Sequence, residues 1–214
     1  MNDKIRIRKA EIKDIPGIQT LAITNNIMAT DPETARTEGS TVAIYKDSVL
    51  EHILEEGLSQ IMVDEHNTVR GYFLLCSQPV FHRAFGVSLK DELSMYNCAL
   101  EPNAAYGVQV CLDRQIRGEG YYTAFHNATL QHAAHKNISA VYAEILEYNQ
   151  RSRAVHTRLG WEHVGTRTVS SIYDFKGNDL EKFDTMKKYE VKFAIVWTLY
   201  KKEIESQYSM KERL

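Results

Sequence analysis

Between a predicted strand and a predicted helix, the chain reads Leu112-Asp113-Arg114-Gln115-Ile116-Arg117-Gly118-Glu119-Gly120-Tyr121-Tyr122. Apolar residues alternate over 105–112, which is typical of a strand, and a helical pattern runs from the glycines to about His135. A turn at such a junction leaves backbone N–H groups unpaired at the helix N-terminus, where the helix dipole adds positive potential. The stretch therefore predicts an anion site, and a diphosphate is its natural guest.

Two glycines suit this turn to phosphate oxygens. Gly118 and Gly120 permit unusual backbone angles and allow an anion to approach the amides closely, and Arg114 and Arg117 are expected to add charge-assisted hydrogen bonds. The Walker loop is excluded because no Gly-Lys-Ser/Thr ending follows. The dinucleotide fingerprint is not matched because Thr123 stands where its third glycine belongs. A tight turn without a ligand is the structural alternative.

The flanking patterns predict one mixed α/β domain over residues 1–214. Predicted strands cover 4–8, 61–63, 69–75, 105–112, 140–146, 162–173 and 191–200. Predicted helices begin at the Asp14 cap, at a capping box formed by Ser48 and Glu51 (48–56), after Gly120, and at about 150 (150–159). Residues 27–46 are interpreted as a loop with one helical turn, and 78–104 as an insertion of unknown shape with a short helix near 90–95. The charged last fourteen residues predict a frayed helix.

Composition excludes several classes of protein. The 26 Lys+Arg and 28 Asp+Glu give a net charge of −2, which argues against a large nucleic-acid footprint. The apolar stretches are far shorter than the roughly 18 residues of a membrane span, and no signal peptide precedes the first strand. The missing signal core predicts a cytoplasmic location, and three cysteines without CxxC spacing predict reduced thiols. His126, His132 and His135 share a helix, but no further ligand completes a set, so no metal is predicted.

Two motifs together resemble the GNAT superfamily of acyl-CoA-dependent N-acyltransferases. The stretch 117–122 is similar to the family's diphosphate pattern Arg/Gln-x-x-Gly-x-Gly/Ala, although Tyr122 occupies the last small-residue place, and a register from Gln115 also fits. Asn149 follows Arg117 by thirty-two residues (149 − 117) and opens a run similar to the family's Asn-x-x-Ser/Ala-x-x-x-Tyr-x-x-x-Gly-Phe. The run comprises Asn149, Ser152, His156 and Gly160-Trp161, with histidine in the tyrosine place. The resemblance is closest over 105–165.

The resemblance implies a fold, a cofactor and a set of site residues. The fold is a mixed, mostly antiparallel sheet of about seven strands, splayed between the fourth and fifth, with helices on both faces. The acyl donor is acetyl-CoA, and no metal is involved. The backbone of Val110, Cys111 and Leu112 is expected to pair with the pantetheine arm, and the amides of Arg117, Gly118, Glu119, Gly120, Tyr121 and Tyr122 to hold the diphosphate. Asn149 contacts the arm or caps its helix, while Ser152 and His156 share the helical face toward the cleft.

The implied chemistry is attack of an amine on a thioester, which needs an uncharged amine. An amine with a pKa near 10.4 costs roughly 4–5 kcal/mol to present neutral at pH 7. Glu144 and Glu101 are candidate bases, and Tyr106 lies where several family members carry an acid. His156 as an imidazolium is a candidate donor to the leaving thiolate, so we expect the rate to fall as pH rises past the His156 pKa. A packed structural histidine is the alternative.

These features predict an N-acetyltransferase that acts on the primary amine of a small molecule. Two alternatives stay open: a noncatalytic module that binds acyl-CoA, and an enzyme acting on a protein or peptide amine or on aminoacylated RNA, which the acidic balance disfavours. No nucleic acid or membrane partner is expected, and a homodimer is an open alternative to a monomer.

Overall fold

The computed structural model describes residues 5–169 and 195–204, and alternating apolar residues build a seven-stranded sheet within them. The strands are β1 (Arg6–Lys9), β2 (Gln60–Val63), β3 (Val69–Ser77), β4 (Ala104–Leu112), β5 (Ala140–Leu146), β6 (Glu162–Val169) and β7 (Ile195–Glu203). Their order is β1-β2-β3-β4-β5-β7-β6, and every neighbouring pair is antiparallel except β4 and β5. The predicted mixed, mostly antiparallel sheet is confirmed.

Seven α-helices accompany the sheet in the described residues. They are α1 (Ile15–Thr24), α2 (Pro32–Glu38), α3 (Asp47–Glu55), α4 (Gln78–Phe85), α5 (Leu89–Ser94), α6 (Tyr121–His135) and α7 (Gln150–Arg158). Side chains of β3 alternate between the two faces. Tyr72 and Leu74 join the core beneath α1, α3, α4 and α5, whereas Phe73 and Leu75 join the core beneath α6. The α/β class with helices on both faces is confirmed.

The sheet is splayed between its fourth and fifth strands, as expected. The parallel ladder of β4 and β5 joins only Ala104–Gly107 to Ala140–Ala143. Beyond it, 109–112 stay paired to β3 and 144–146 stay paired to β7, so the two segments diverge. A register shift opposite Leu74 and Leu75 leaves Val108 as an extra residue at the point of divergence. The split thus exposes one backbone edge of β4 to a cleft.

Two segments predicted to be irregular are helical. The expected loop 27–46 contains a 3-10 turn and α2, and the insertion 78–104 contains α4 as well as α5. In both, proline signals a helix start and not a break. Asp31 accepts the Thr34 N–H at 3.0 Å with Pro32 next to it, and Pro79 lies in the first turn of α4. Tertiary burial of one apolar stripe then stabilises each short helix.

The predicted capping box at Ser48 is wrong. The helix α3 begins at Asp47, with Lys46 in the cap position, because Gln19 of α1 donates to Asp47 Oδ1 at 2.6 Å and to the Tyr45 carbonyl at 3.1 Å. These tertiary contacts fix the start one residue before Ser48.

The end of the chain also differs from expectation. Residues 201–203 belong to β7, so the frayed helix predicted for the last fourteen residues is wrong where it begins. The rest of that helix, and the predicted strand residues 170–173 and 191–194, lie outside the described residues. No helix in the described ranges is long and apolar enough to span a bilayer.

Candidate active site

The split in the sheet opens into two cavities. The loop-side cavity, about 540 Å³, lies between β4, the turn 116–120 and α7. The sheet-side cavity, about 90 Å³, lies deeper between the diverging strands and carries Glu144 on its wall. Six lining residues are common to both: Ser40, Thr41, Val110, Asn149, Ser152 and His156. The two cavities are therefore adjacent along the free edge of β4, and an extended ligand could occupy both.

The turn after β4 leaves its amides open. Asp113 accepts the Gln115 N–H at 3.0 Å and begins a 3-10 turn at Arg114–Ile116, after which the chain reaches Gly120, the cap of α6. Within the described residues, the amides of Gly118, Glu119, Gly120 and Tyr122 have no acceptor; Thr123 donates to Gly120 O at 3.2 Å. Four donors at the start of a fifteen-residue helix are an arrangement suited to an anion.

The glycines of this turn leave space for the anion. Gly118 (φ +88°) and Gly120 (φ +84°) adopt left-handed backbone conformations that other residues reach only with strain. A Cβ at either position would meet no protein atom within 4 Å. Both residues line the loop-side cavity, so a side chain there would fill the space in front of the open amides. The turn fits a phosphate group.

Arg117 holds the turn in place, which differs from its expected role as a direct phosphate ligand. Its guanidinium donates to the carbonyls of Leu112 (3.0 Å) and Glu38 (3.0 Å) and to Asn25 Oδ1 (2.7 Å). All three acceptors are neutral, so no carboxylate cancels the charge at hydrogen-bond distance. Burial lowers the pKa of Arg117, and the charges of Arg114 and Arg151 act in the same direction. Arg114 is turned away and donates to Thr30 Oγ1 at 2.8 Å.

The helix α7 presents the second motif to the cavity. Asn149 Oδ1 accepts the Ser152 N–H at 3.0 Å, so Asn149 caps the helix while its side chain lines both cavities. One turn later His156 is 3% exposed and donates from Nδ1 to the Ser152 carbonyl at 2.8 Å. Its Nε2 then carries a lone pair and faces the Tyr122 hydroxyl at 3.4 Å.

The expectation of an imidazolium at His156 is wrong. Burial lowers the pKa of His156 to about 4, so the ring is uncharged at neutral pH. The sequence places His156 on the cleft face of α7. Its charge state, however, depends on burial against the rings of Trp161 and Tyr200, which belong to other parts of the chain. With an uncharged ring, the rate is not expected to fall as pH rises through the ordinary histidine range.

Stability should instead fall as pH falls. His156 has a pKa of 6.5 when exposed and about 4 when folded, so the unfolded chain takes up a proton first. The contribution of His156 to the free energy of unfolding is fully present above pH 6.5. About 3 kcal/mol of it is lost between pH 6.5 and pH 4. Urea unfolding across this range should show the loss in the wild type and a shallower loss in His156→Gln. His66→Gln, at a side chain 81% exposed, is the control. Parallel losses in wild type and His156→Gln would contradict the assignment.

Glu144 lies at the sheet-side cavity in a dense polar cluster. Its side chain is 3% exposed, Oε1 accepts the Tyr96 hydroxyl at 2.6 Å, and Oε2 accepts the Tyr106 hydroxyl at 2.7 Å. Arg167 is 3.3 Å from Oε1 and also pairs with Glu92 at 2.9 Å. Three partners leave about one of four acceptor positions on the carboxylate for a ligand. The cluster fixes a carboxylate at the inner end of the cleft.

Most predicted residues meet at the cleft, and a few do not. Lining residues from the predicted set are Val110, Cys111, Leu112, Arg117, Gly118, Gly120, Tyr122, Asn149, Ser152 and His156. The Glu119 side chain is exposed and Tyr121 is buried in the α6 core, so only their amides belong to the turn. Glu101 pairs with Lys201 at 3.0 Å and lines neither cavity. Burial raises the pKa of the Cys111 thiol to about 12, which fits a structural role.

The sequence analysis missed two parts of the wall. Arg151 and Arg158 line the loop-side cavity from α7; their spacing of seven places them on one helix face, which is the signal that could have found them. Residues 38–41 close the other side. Arg36 donates to Gln150 Oε1 at 2.8 Å, and a Cβ on Gly39 would lie 3.3 Å from Asn149 Oδ1. This contact follows from α2, which the sequence pattern did not indicate.

Two histidines of α6 have different partners. His126 Nε2 accepts the Trp161 Nε1–H at 2.8 Å, while His132 pairs with the Gly57 carbonyl at 2.8 Å on a different side. In the ranges 5–169 and 195–204, no three candidate ligands lie together.

One known family matches most of the chain. Residues 4–162 match the family of the acetyltransferase (GNAT) domain. Among curated proteins, no sequence matches the chain.

Solved structures share the fold at low sequence identity. An N-acetyltransferase from Staphylococcus aureus Mu50 is 16% identical, with 95% of this chain and 100% of that chain covered and a TM-score of 0.58. A phosphinothricin acetyltransferase from Sinorhizobium meliloti, in complex with AcCoA, is 14% identical (94% and 89% covered, TM-score 0.58). The ribosomal-protein-S18-alanine N-acetyltransferase from Escherichia coli is 9% identical (94% and 94%, 0.58). At these identities the likeness shows the fold alone.

Proposed function

Because the chain belongs to the GNAT acetyltransferase family, we propose that it transfers the acetyl group of acetyl-CoA to the primary amine of a small molecule. The supporting observation is the continuity of the cleft. Open amides before α6 adjoin the free edge of β4, and that edge leads to a buried carboxylate at Glu144. A diphosphate, an extended amide-containing arm and an amine would find complementary groups in this order.

The donor would be held chiefly by backbone. The amides of Gly118, Glu119, Gly120 and Tyr122 would receive the diphosphate. The backbone of Val110, Cys111 and Leu112 would pair with the arm along the edge that β5 leaves free. Arg117 would contribute charge without direct contact, since its donors are already engaged. The donor supplies an activated acyl carbon; the chain supplies position and a route for the amine proton.

Glu144 would accept the proton of the amine. Its two phenol partners and Arg167 hold the carboxylate still, and one acceptor position is left toward the cavity. An ammonium placed there would be drawn in by charge and could lose its proton to the carboxylate or to a water it binds. Tyr106 lies where several family members carry an acid, and its hydroxyl donates to Glu144 Oε2 at 2.7 Å.

The size of the sheet-side cavity favours a small acceptor amine. The sheet-side cavity measures about 90 Å³ within the described residues and is walled by Tyr45, Phe73 and Tyr106. A peptide amine is the second candidate, since the structural neighbours include a ribosomal-protein-S18-alanine N-acetyltransferase. We place the protein in the cytoplasm because its three cysteines are free thiols, two of them buried.

The proposal is tested by thiol release. Melting shifts with CoA, acetyl-CoA, ATP and NAD come first, and stabilisation by the two CoA species only is expected. Thiol release from acetyl-CoA is then measured against small amines, polyamines, amino acids and peptides. Turnover with small amines is the expected result. Turnover with peptides alone would show that the substrate is a peptide amine and not a small molecule. Binding of CoA without turnover would support the noncatalytic module, and stabilisation by ATP or NAD without CoA would refute the proposal.

A further inference from the structure

The wall of the sheet-side cavity combines one carboxylate with apolar groups. Among the lining residues in the described part of the chain, Glu144 is the only acid, and no lysine or arginine is present. Three aromatic rings belong to the wall, those of Tyr45, Phe73 and Tyr106, and each residue is at most 6% exposed. Aliphatic side chains complete it: Val42, Ala43, Val108, Ala143, Ile145 and Leu146. A molecule in this cavity therefore exchanges water for carbon atoms around a single negative charge.

The neutral polar side chains of this wall already donate to protein acceptors. The Tyr106 hydroxyl donates to Glu144 at 2.7 Å. Gln109 donates from Nε2 to a backbone carbonyl at 2.9 Å, and the Tyr45 hydroxyl donates to another at 3.5 Å. Asn149 and Ser152, which both cavities share, lie where the arm of the donor would pass. A negatively charged group on the acceptor would thus find neither a cation nor a side-chain donor set aside for it.

The positive charges near the cleft are placed elsewhere. Arg167 pairs with Glu92 at 2.9 Å and lies 3.3 Å from Glu144 Oε1, so its guanidinium is engaged by carboxylates behind the wall. It does not line the cavity. Three arginines line only the loop-side cavity: Arg117, Arg151 and Arg158. The two cavities therefore differ in charge, with cations beside the predicted phosphate site and a carboxylate at the inner end.

We propose that the acceptor is a primary amine on an apolar, uncharged body, and that Glu144 excludes amines that carry a carboxylate, such as amino acids. This inference rests on the proposed function and narrows its acceptor. An ammonium at Glu144 leaves the rest of a small molecule against the aromatic and aliphatic wall. In an amino acid the carboxylate is attached to the carbon that bears the amine, so it would lie close to Glu144 without a partner. Like charges repel strongly where water is excluded, and an unpaired buried carboxylate is costly.

Three related ligands separate charge from size. Butylamine is norvaline without its carboxylate. Norvalinamide has nearly the size of norvaline, but a neutral amide replaces the carboxylate. All three are chiefly ammonium ions at pH 7. Norvaline compared with norvalinamide therefore isolates the negative charge, and norvalinamide compared with butylamine isolates the added bulk.

The experiment measures dissociation constants by calorimetry in CoA-saturated protein, where no acyl group is present and no turnover occurs. The wild type should bind norvalinamide within tenfold of butylamine and should bind norvaline about 100-fold more weakly than norvalinamide. Thiol release from acetyl-CoA should rank the three ligands in the same order. In Glu144→Gln the ratio of norvaline to norvalinamide should fall at least tenfold. The repelling charge is then gone, whereas the attraction of the ammonium is lost for both ligands alike.

Glu147→Gln is the matched control. Glu147 lies three residues after Glu144 (147 − 144), pairs with Arg153 at 3.7 Å, is 50% exposed at its side chain and lines neither cavity. This variant removes the same charge from the protein but should keep the wild-type ratio. The affinity for CoA verifies that each variant is folded and that the cleft is intact.

Three results would overturn the inference. They are norvaline bound within tenfold of norvalinamide by the wild type, a ratio that persists in Glu144→Gln, and a ratio lost equally in Glu147→Gln. A wild type that binds CoA but neither binds nor acetylates any of the three ligands would overturn it as well. If the protein does not bind CoA at all, the proposed function fails, and that outcome is distinct from equal binding of norvaline and norvalinamide.

Discussion

Gly120→Ala is expected to weaken CoA binding about 100-fold. The added Cβ would meet no protein atom but would occupy the space in front of the amides of the turn. A phosphate held by several amides would be displaced from at least one of them, and a hydrogen bond to a charged group contributes about 1.5–3 kcal/mol. Calorimetric titration of CoA into wild type and variant measures the change.

Gly86→Ala separates this effect from backbone strain. Gly86 ends α4 with φ +71° and ψ 6°, close to the φ +84° and ψ −6° of Gly120, and it too has no neighbour within 4 Å of a Cβ. It lies outside both cavities. Each substitution should cost about 1–2 kcal/mol of stability from the left-handed conformation, but only Gly120→Ala should change the dissociation constant. Equal affinity in the two variants would show that the turn does not bind the phosphates.

Glu144→Gln is expected to lower kcat about 1000-fold with an accepted amine. Loss of a positioned general base costs roughly 100-fold to 10,000-fold, and an amide cannot take the amine proton. The affinity for CoA should stay within a few-fold of the wild-type value, because Glu144 lines only the sheet-side cavity. Steady-state kinetics with the best amine from the thiol-release panel provide the measurement.

Glu92→Gln is the control for the loss of an ion pair. Glu92 is 1% exposed, shares Arg167 with Glu144 and lines neither cavity. Both variants remove a buried carboxylate from the same guanidinium, so both should lose stability, by about 3 kcal/mol. If Glu92→Gln lowers kcat as far as Glu144→Gln, the cluster has a structural role and Glu144 is not the base.

The strands beside the site could be predicted because their signals are local. The predicted strand 140–146 coincides with β5, and the predicted 105–112 differs from β4 by one residue. Alternating apolar residues fix a strand wherever it packs. The split between β4 and β5 is different, because both sides of it have ordinary strand patterns. Only the resemblance to the family implied the split. The divergence of β4 and β5 depends on the bulge at Val108 and on which strands each one pairs with.

The missed helices show where local signals are ambiguous. Asp31-Pro32 is typical of a turn and equally of a capped helix start, and burial of Ala35 against the rest of the core decides between them. Pro79 gives the same ambiguity in α4. A single short apolar stripe does not distinguish the two readings, because its stability comes from the surface it packs on.

In the site, residue positions could be predicted and their chemical states could not. The motifs place Arg117 and His156 at the cleft, and the structure has both there. Two of the three partners of Arg117, however, are Asn25 and Glu38, which are 92 and 79 residues distant in sequence. The neutral state of His156 comes from burial among rings of α6, β7 and the segment before β6. Such effects belong to the assembled core.

The central claim is that open main-chain donors ahead of α6 bind the diphosphate of CoA, and amide NMR tests it most directly. Addition of CoA to the isotope-labelled protein should shift the amide signals of Gly118, Glu119, Gly120 and Tyr122 most strongly, with smaller shifts at Val110–Leu112. Saturating CoA that leaves these four amides unchanged while other signals move would contradict the claim.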